Sequence, residues 1–282
     1  MKTQSPDTSL DAELVLIGMI RKASMSRRFA FVQAWTASML EAGSQYVQQL
    51  HPQANDKEVR LLFFERQYGK DLADELRRAL HTCGIQVADS PDYLRAIRPL
   101  AKICQDLDIP YALSGSLASS LYGLQRATLQ IDFIAGLGQK HLPSFCAQLS
   151  GLYLLDKEEI EAAIRQKRCF TLVHLESLLK VIVTLPAMLT MGQQVFQGVR
   201  KIALVEGEQP VPVLSPEQMI LLLLEAFKRS NERADDLWYD LLGMVKVQGT
   251  DLDMPFLTQQ AAHLGVTELL ARALVDAGLR DA

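Results

Sequence analysis

The stretch from Tyr111 to Asp132, YALSGSLASSLYGLQRATLQID, decides how this chain of 282 residues is interpreted. Its pattern predicts a short strand, a Gly-Ser turn at Gly115 and Ser116, a helix to Tyr122, and a second strand from Gln130. A helix that starts directly after a strand leaves backbone N–H groups free at its N-terminus, and these attract phosphate. By itself, a Gly-Ser turn is more typical of an ordinary strand-to-helix connection.

The composition describes an ordinary globular chain with enough residues for a substantial core. Hydrophobic residues make up 49% and charged residues 22%, and the formal net charge is -4. This balance argues against a strongly basic nucleic-acid binder. The N-terminus is polar, and the most apolar run, Met219–Leu224, is far shorter than the ~20 residues needed to cross a bilayer. We therefore predict a cytoplasmic protein with no membrane partner. The four scattered cysteines predict neither a zinc site nor a disulfide framework.

The hydrophobic periodicity changes twice along the chain, which predicts an α+β protein. Apolar residues recur at helical spacing in the N-terminal third, mixed strands and helices follow, and the last part is helical again. Ser90 and Pro91 are predicted to open the first helix of the central part, and Ser215 and Pro216 to open the C-terminal helices. The predicted segments are a flexible tail (1–10), a helical N-terminal domain (11–82), a linker (83–91), an α/β domain (92–214) and a C-terminal helical region packed on it (215–282).

Three stretches carry a resemblance to a known family. GSLASSLYGLQRATLQIDF (115–133) resembles the Gly-Ser turn, the helix and the Arg-x-Thr lead into the Asp-x-Asp strand of the nucleotidyltransferase superfamily, which has the polymerase-beta-like fold. Residues 152–185 resemble the stretch that leads into its third acidic strand. Residues 212–274 resemble its C-terminal helices in a bacterial group that includes abortive-infection toxin-like and minimal nucleotidyltransferases. Residues 27–76 resemble a small bacterial domain of unknown role. The resemblance covers residues 100 to 275 and implies a mixed sheet flanked by helices.

The resemblance implies a site in which three carboxylates hold two magnesium ions around a nucleoside triphosphate. Two of them lie on one face of a strand, and the third comes from a neighbouring strand. In this sequence the three positions are Gln130, Asp132 and Ile182, so one carboxylate is retained. The resemblance also implies nucleotide-binding roles, which fall on Gly115, Ser116, Arg126 and Thr128. Asp240 is retained in the C-terminal helices.

The two substitutions predict that metal-dependent catalysis is very weak or lost. An amide is a poor substitute for a carboxylate, an isoleucine offers no ligand, and magnesium needs charged oxygens to hold it. Asp132 remains as a weak metal ligand at best. Glu176 or Asp156 would have to move in to rescue the site. Arg126 is open to two interpretations, a phosphate contact or a structural salt bridge.

Three hypotheses about function follow. The first is a non-catalytic protein of nucleotidyltransferase fold that binds a nucleotide, a nucleic acid or a protein partner. The second is an active, toxin-like transferase with a rearranged site, which would use Mg²⁺ and a nucleoside triphosphate to modify RNA or protein. The third is an interaction module centred on the N-terminal helices, which exposed apolar surface on residues 25–80 would favour.

Overall fold

Helices surround a mixed sheet in this protein, whose structure is a computed structural model that describes residues 1–88 and 92–280. The helices of the described residues are α1 Leu10–Lys22, α2 Met25–Leu50, α3 Asp56–Tyr68, α4 Lys70–Cys83, α5 Tyr93–Asp106, α6 Gly115–Tyr122, α7 Leu142–Leu149, α8 Lys157–Gln166, α9 Pro216–Arg229, α10 Asp235–Gln248, α11 Met254–Leu264 and α12 Thr267–Asp276. The strands are β1 Tyr111–Ser114, β2 Gln130–Ala135, β3 Tyr153–Leu154, β4 Phe170–His174, β5 Lys180–Thr184, β6 Arg200–Ile202 and β7 Val211–Val213. These form a seven-stranded mixed sheet, so the predicted α+β class is confirmed.

The contacts divide the chain into two compact units that interleave along the sequence. The first unit contains residues 1–32, 112–126 and 190–282, and the second contains residues 33–111 and 127–189. The linear domain boundaries expected from the sequence, at 83–91 and after 214, stay predictions.

In the second unit the strand order is β3-β4-β5-β2. β2 and β5 are parallel, and β4 is antiparallel to both β5 and β3. The N-terminal helices α3 and α4 pack on this part of the sheet, because Phe64, Leu76 and Leu80 form one buried cluster with Val173 and Leu175. These two helices therefore share a hydrophobic core with the strands.

In the first unit β7 pairs in parallel with β1 and antiparallel with β6. Ser215 caps α9 as predicted, since its hydroxyl accepts from the Gln218 N–H in a full capping box. Helix α10 packs against α1, α6 and α9. The contact with α6 is close: a Cβ on Gly123 would lie 2.7 Å from the Met244 backbone nitrogen. Glycine at this position is what allows the two backbones to meet.

The start of helix α5 differs from the sequence expectation. The helix expected to open at Ser90 and Pro91 begins at Tyr93, because the Asp92 carboxylate caps it by accepting from the N–H groups of Leu94 and Arg95. Residues 89–91, which include Ser90 and Pro91 and form the end of the predicted linker, lie outside the described residues. Residues 281–282, at the end of the predicted C-terminal region, lie outside them too.

The N-terminal segment expected to be a flexible tail is hydrogen-bonded within the first unit. The Lys2 N–H donates to the Asp276 carbonyl at 2.8 Å, and its side chain pairs with the Asp276 carboxylate at 2.7 Å. The Gln4 N–H donates to Glu13 at 2.9 Å, and its side-chain amide donates to the Tyr239 carbonyl at 2.6 Å. The sequence did not indicate the contacts with Asp276 and Tyr239, because these residues lie on helices more than 200 residues away along the chain.

Candidate functional site

The three positions at which the sequence resemblance implies acids lie side by side on the parallel strands β2 and β5. Gln130 and Asp132 are two residues apart on β2, so both side chains are on the same face, as the alternation predicted. The pairing register sets Asp132 directly opposite Ile182 and Gln130 opposite Lys180. All four side chains are partly exposed, whereas Ile131 between the first two is completely buried. The second unit therefore presents this face of the sheet, rather than the other, to solvent.

The retained carboxylate is hydrogen-bonded to the residue that replaces its partner. The side-chain amide of Gln130 donates to Oδ1 of Asp132 at 2.6 Å. A second aspartate at position 130 would repel Asp132 unless a cation lay between them, whereas the glutamine amide stabilises the single charge. Gln130 and Asp132 therefore form a hydrogen-bonded pair that requires no metal.

Lys180 adds a positive charge to the same face, a feature that the sequence interpretation passed over. Its ammonium lies over the ring of Tyr68, 5.2 Å from the ring centroid. The Tyr68 hydroxyl donates to the Leu129 carbonyl, and burial raises the pKa of this phenol to about 12. The tyrosine is therefore neutral at physiological pH.

Thr128, which the resemblance implied in nucleotide binding, is engaged in the protein interior. Its hydroxyl donates to the Gln130 carbonyl at 3.2 Å, and its N–H donates to the hydroxyl of Thr36 at 3.1 Å. Its carbonyl accepts from the Tyr93 hydroxyl. Thr36 and Tyr93 are completely buried, and burial raises the pKa of Tyr93 to about 12. These contacts anchor the segment that leads into β2 to helices α2 and α5.

The carboxylates considered as substitutes have other partners. Glu176 accepts a hydrogen bond from the guanidinium of Arg95, and Asp156 caps α8 by accepting from two backbone N–H groups. Among the described residues, no group of three or more His, Cys, Asp or Glu side chains is arranged to hold a metal ion. His174 is a core histidine whose Nδ1 accepts from the Ser177 N–H. Burial lowers its pKa to about 4, so it is neutral at physiological pH.

In the first unit, the Gly-Ser turn is tied to a buried ion pair. Helix α6 begins at Gly115, whose φ of +61° favours glycine. The Arg126 guanidinium donates to the Ser116 hydroxyl in the first turn of this helix. The same guanidinium donates to both carboxylate oxygens of Asp240 on α10, from Nε at 2.7 Å and from Nη2 at 2.9 Å. Ser119 donates a further hydrogen bond to Asp240 at 3.0 Å.

This arrangement fixes a cation at the start of α6. The Asp240 side chain is 3% exposed and that of Arg126 is 31% exposed, so the carboxylate is buried while the guanidinium reaches the surface. A bidentate pair orients the guanidinium plane and leaves little rotamer freedom. The sequence left a salt bridge open for Arg126 and marked Asp240 as retained. Their pairing across 114 residues is visible in the tertiary structure alone.

The donor set on β2 and β5 does not fit a two-magnesium site. It consists of one carboxylate, one amide oxygen and an aliphatic side chain, with a lysine next to them, whereas a magnesium pair needs several anionic oxygens. The positive guanidinium and the first turn of α6 in the other unit suit an anion. The chemistry that these residues support is anion contact rather than metal-assisted transfer.

Comparisons with known proteins leave the family open. No family model and no curated protein matches this sequence. Among solved structures, an antigenic nucleotidyltransferase-like protein from Paracoccidioides brasiliensis is similar at 15% identity and a TM-score of 0.36, over 64% of this chain and 91% of that chain. These values are too low to assign the chain to a family. Across the part of the chain that the structure describes, no helix combines the length and apolar character that a membrane span requires.

Proposed function

We propose that this chain is a nucleotidyltransferase-like protein that has lost metal-dependent catalysis and acts by binding a nucleotide. Its bacterial origin and the relation to toxin-like transferases come from the sequence resemblance, and these, together with its predicted cytoplasmic location, are part of the proposal. The observation that carries it is the pairing of Gln130 with Asp132 next to Ile182, at the three positions where the family has acids.

The loss of catalysis follows from charge. The family site has three carboxylates that face two divalent cations, whereas this chain has one carboxylate at these positions. That carboxylate accepts a hydrogen bond from a neutral amide. Losing groups that merely orient metal ligands costs about 10- to 100-fold in affinity. Two ligands themselves are missing here, so the loss is larger.

The binding role is supported by the first turn of α6. There the Ser116 hydroxyl and the guanidinium of Arg126 lie together at the positive end of the helix dipole, which attracts anions. The buried Asp240 carboxylate holds the guanidinium in one orientation, so little entropy is lost when a phosphate binds. A triphosphate would be held through its charge, without a bridging metal.

The binding test is isothermal titration calorimetry with ATP, GTP, CTP and UTP, with and without magnesium. We expect at least one nucleotide to bind in the absence of magnesium, because the donor set supplies no site for a bridging metal. Arg126→Lys keeps the charge but loses the bidentate geometry, and we expect it to weaken binding at least about tenfold. The matched control is Arg95→Lys, which alters the exposed pair with Glu176. No binding of any nucleotide, or equal binding by both variants, would contradict the proposal.

The catalytic test is incubation with labelled nucleoside triphosphates, magnesium or manganese, and RNA or protein acceptors. Label transfer that Asp132→Ala abolishes would favour the active-transferase alternative and overturn the loss of catalysis. A gain-of-function variant tests the donor argument directly. Gln130→Asp combined with Ile182→Asp restores the three acids, and we expect manganese affinity to rise at least about tenfold. The matched control, Gln53→Asp with Gln166→Asp, adds the same charge at exposed positions outside the strands.

An interaction role for the N-terminal helices is a second candidate. Exposed apolar side chains on α2 favour it, because Trp35, Tyr46 and Leu50 are each about half exposed. This role is compatible with nucleotide binding, since it uses different residues.

A further inference from the structure

The first unit contains a pocket of about 300 Å³ between the segment 191–200 and the N-terminal parts of α9 and α11. Pockets that bind small molecules start at about this volume. It equals the liquid volume of about ten water molecules, so a molecule of about ten non-hydrogen atoms fits inside. The residues that line it are different from those of the proposed nucleotide site.

The lining of this pocket is mostly polar, both where it is buried and where it is exposed. Its buried part includes two residues from the first turn of α9, Glu217 at 6% exposed and Gln218 at 1%. Its exposed part, which we call the rim, consists of Gln194, Gln197, Arg200 and Asp253. Polar groups that converge on a pocket orient a ligand through hydrogen bonds and charge.

The hydrogen bonds that the buried Glu217 carboxylate accepts from the described residues are long. It accepts from the Asp253 N–H at 3.3 Å and from Nη2 of Arg200 at 3.4 Å. Charge-assisted hydrogen bonds are normally about 2.7–2.9 Å long, as they are between Arg126 and Asp240. An ionised carboxylate has about four acceptor sites, so Glu217 can accept further and shorter hydrogen bonds from a ligand.

Two other buried polar groups in or near the pocket are weakly bonded. The side-chain amide of Gln218 contacts two backbone groups, at 3.4 and 3.5 Å. The Tyr122 hydroxyl is buried and has no hydrogen-bond partner among the described residues, whereas buried tyrosine hydroxyls usually have one. Burial raises the pKa of Tyr122, Arg200 lowers it and Glu217 raises it, so this phenol lies within electrostatic range of the lining. The polar groups around the pocket therefore retain hydrogen-bonding capacity.

The arrangement of charges in the pocket matches a small zwitterion. We propose that the pocket binds a free α-amino acid with a polar side chain. Its ammonium group donates to the Glu217 carboxylate, and its carboxylate accepts from the guanidinium of Arg200. Both charged groups of an α-amino acid are attached to the same carbon, so they are close enough together to match the Arg200–Glu217 pair, whose charged atoms are 3.4 Å apart. Each charge of the ligand then lies next to its opposite.

The rest of the lining argues against a simple anion and for a polar side chain. The charged residues among the described lining are Arg200, Glu217 and Asp253, so the pocket has a net negative charge and disfavours a phosphate. The Asp253 carboxylate adds to the attraction for the ammonium group. The amides of the rim, together with that of Gln260, supply both donors and acceptors for a side-chain amide or hydroxyl.

The test is isothermal titration calorimetry of the full chain with L-glutamine, L-asparagine, L-serine and L-leucine, at up to about 10 mM ligand. For ligands of this size we expect the tightest dissociation constant to lie between about 10 µM and about 1 mM, and L-leucine to bind more weakly than L-glutamine. L-Glutaminamide lacks the carboxylate and N-acetyl-L-glutamine lacks the ammonium group. Each should bind at least about tenfold more weakly than L-glutamine, because one charged hydrogen bond is lost. If none of the amino acids binds, if L-leucine binds most tightly, or if both derivatives bind as tightly as L-glutamine, the proposal is wrong.

Two variants locate the ligand in this pocket. Arg200→Met changes an exposed residue and should weaken L-glutamine binding at least about tenfold, while it leaves the affinity for L-glutaminamide unchanged. Glu217→Gln should weaken L-glutamine binding by a similar factor and leave the affinity for N-acetyl-L-glutamine unchanged. The matched control is Arg229→Met, the same change on an exposed arginine at the end of α9, which should have no effect.

Arg200→Met decides the outcome even if Glu217→Gln does not fold, because the arginine side chain is half exposed. An affinity for L-glutamine that Arg200→Met leaves unchanged would mean that the amino acid binds elsewhere and would overturn the proposal. The same variant should leave nucleotide binding unchanged, since the two sites use different residues. The amino-acid site and the proposed nucleotide site can therefore fail independently.

Discussion

Glu13 and Lys246 form a completely buried ion pair that joins α1 to α10. Nζ of Lys246 lies 2.6 Å from Oε1 of Glu13, and the two side chains are 0% and 3% exposed. Lys246 also donates to the Lys2 carbonyl, and Glu13 accepts from the Gln4 N–H. The pair therefore holds the first residues of the chain, which the sequence alone predicted to be flexible.

We predict that Glu13→Gln lowers the free energy of unfolding by about 3–5 kcal/mol, because it leaves a buried ammonium without its counter-charge. At 2.6 Å and an effective dielectric constant of about 20, the attraction between the unit charges is about 6 kcal/mol, most of which offsets the desolvation of both groups. For 282 residues unfolding cooperatively, the expected decrease in Tm is about 5–9 °C.

The assay is urea denaturation at pH 7 for the single variants and for Glu13→Leu combined with Lys246→Met. The double variant replaces the pair with apolar side chains of similar size and should be within about 1 kcal/mol of the wild type. Lys102→Met breaks an exposed pair with Asp106 and should cost no more than about 0.5 kcal/mol. A loss below about 1 kcal/mol for Glu13→Gln would refute the assignment of a buried pair with this energetic role.

Three further predictions concern stability and the site. Burial lowers the pKa of His174 to about 4, so on acidification the unfolded chain protonates this imidazole near pH 6.5, whereas the folded chain does so near pH 4. The contribution of His174 to the unfolding free energy should therefore be constant above pH 6.5 and fall by about 3 kcal/mol between pH 6.5 and 4. In a urea-denaturation pH series, His174→Phe should remove this decrease. Gly123→Ala forces a Cβ against the α10 backbone and should lower the unfolding free energy by about 1–3 kcal/mol, whereas Gly18→Ala, with open space around its Cβ, should leave it unchanged or raise it. Asp240→Asn removes the counter-charge of the guanidinium of Arg126 and should lower the unfolding free energy, measured by thermal denaturation, by about 2–3 kcal/mol. If the proposed function is right, the same variant should bind nucleotide at least about tenfold more weakly in calorimetry.

The sequence determined most of the local structure. The predicted start of β2 at Gln130 and the predicted end of α6 at Tyr122 agree with the structure to the residue. The capping box at Ser215 does as well. These features depend on hydrogen bonds between residues three or four apart and on side-chain alternation, and both follow from residues that are close together in the sequence. The start of α5 was misplaced because Ser90 and Asp92 are both good caps and sequence alone did not choose between them.

Tertiary structure decided which distant residues meet. The resemblance assigned Ile182 to an acid position, but the parallel register of β2 and β5 is what sets it opposite Asp132. The pairing of Arg126 with Asp240 spans 114 residues, and that of Glu13 with Lys246 spans 233. The sequence does not show which residue a charged side chain pairs with, because burial and the packing of two helices select the pair. For that reason the sequence identified the candidate residues, whereas the fold determined their contacts and exposure.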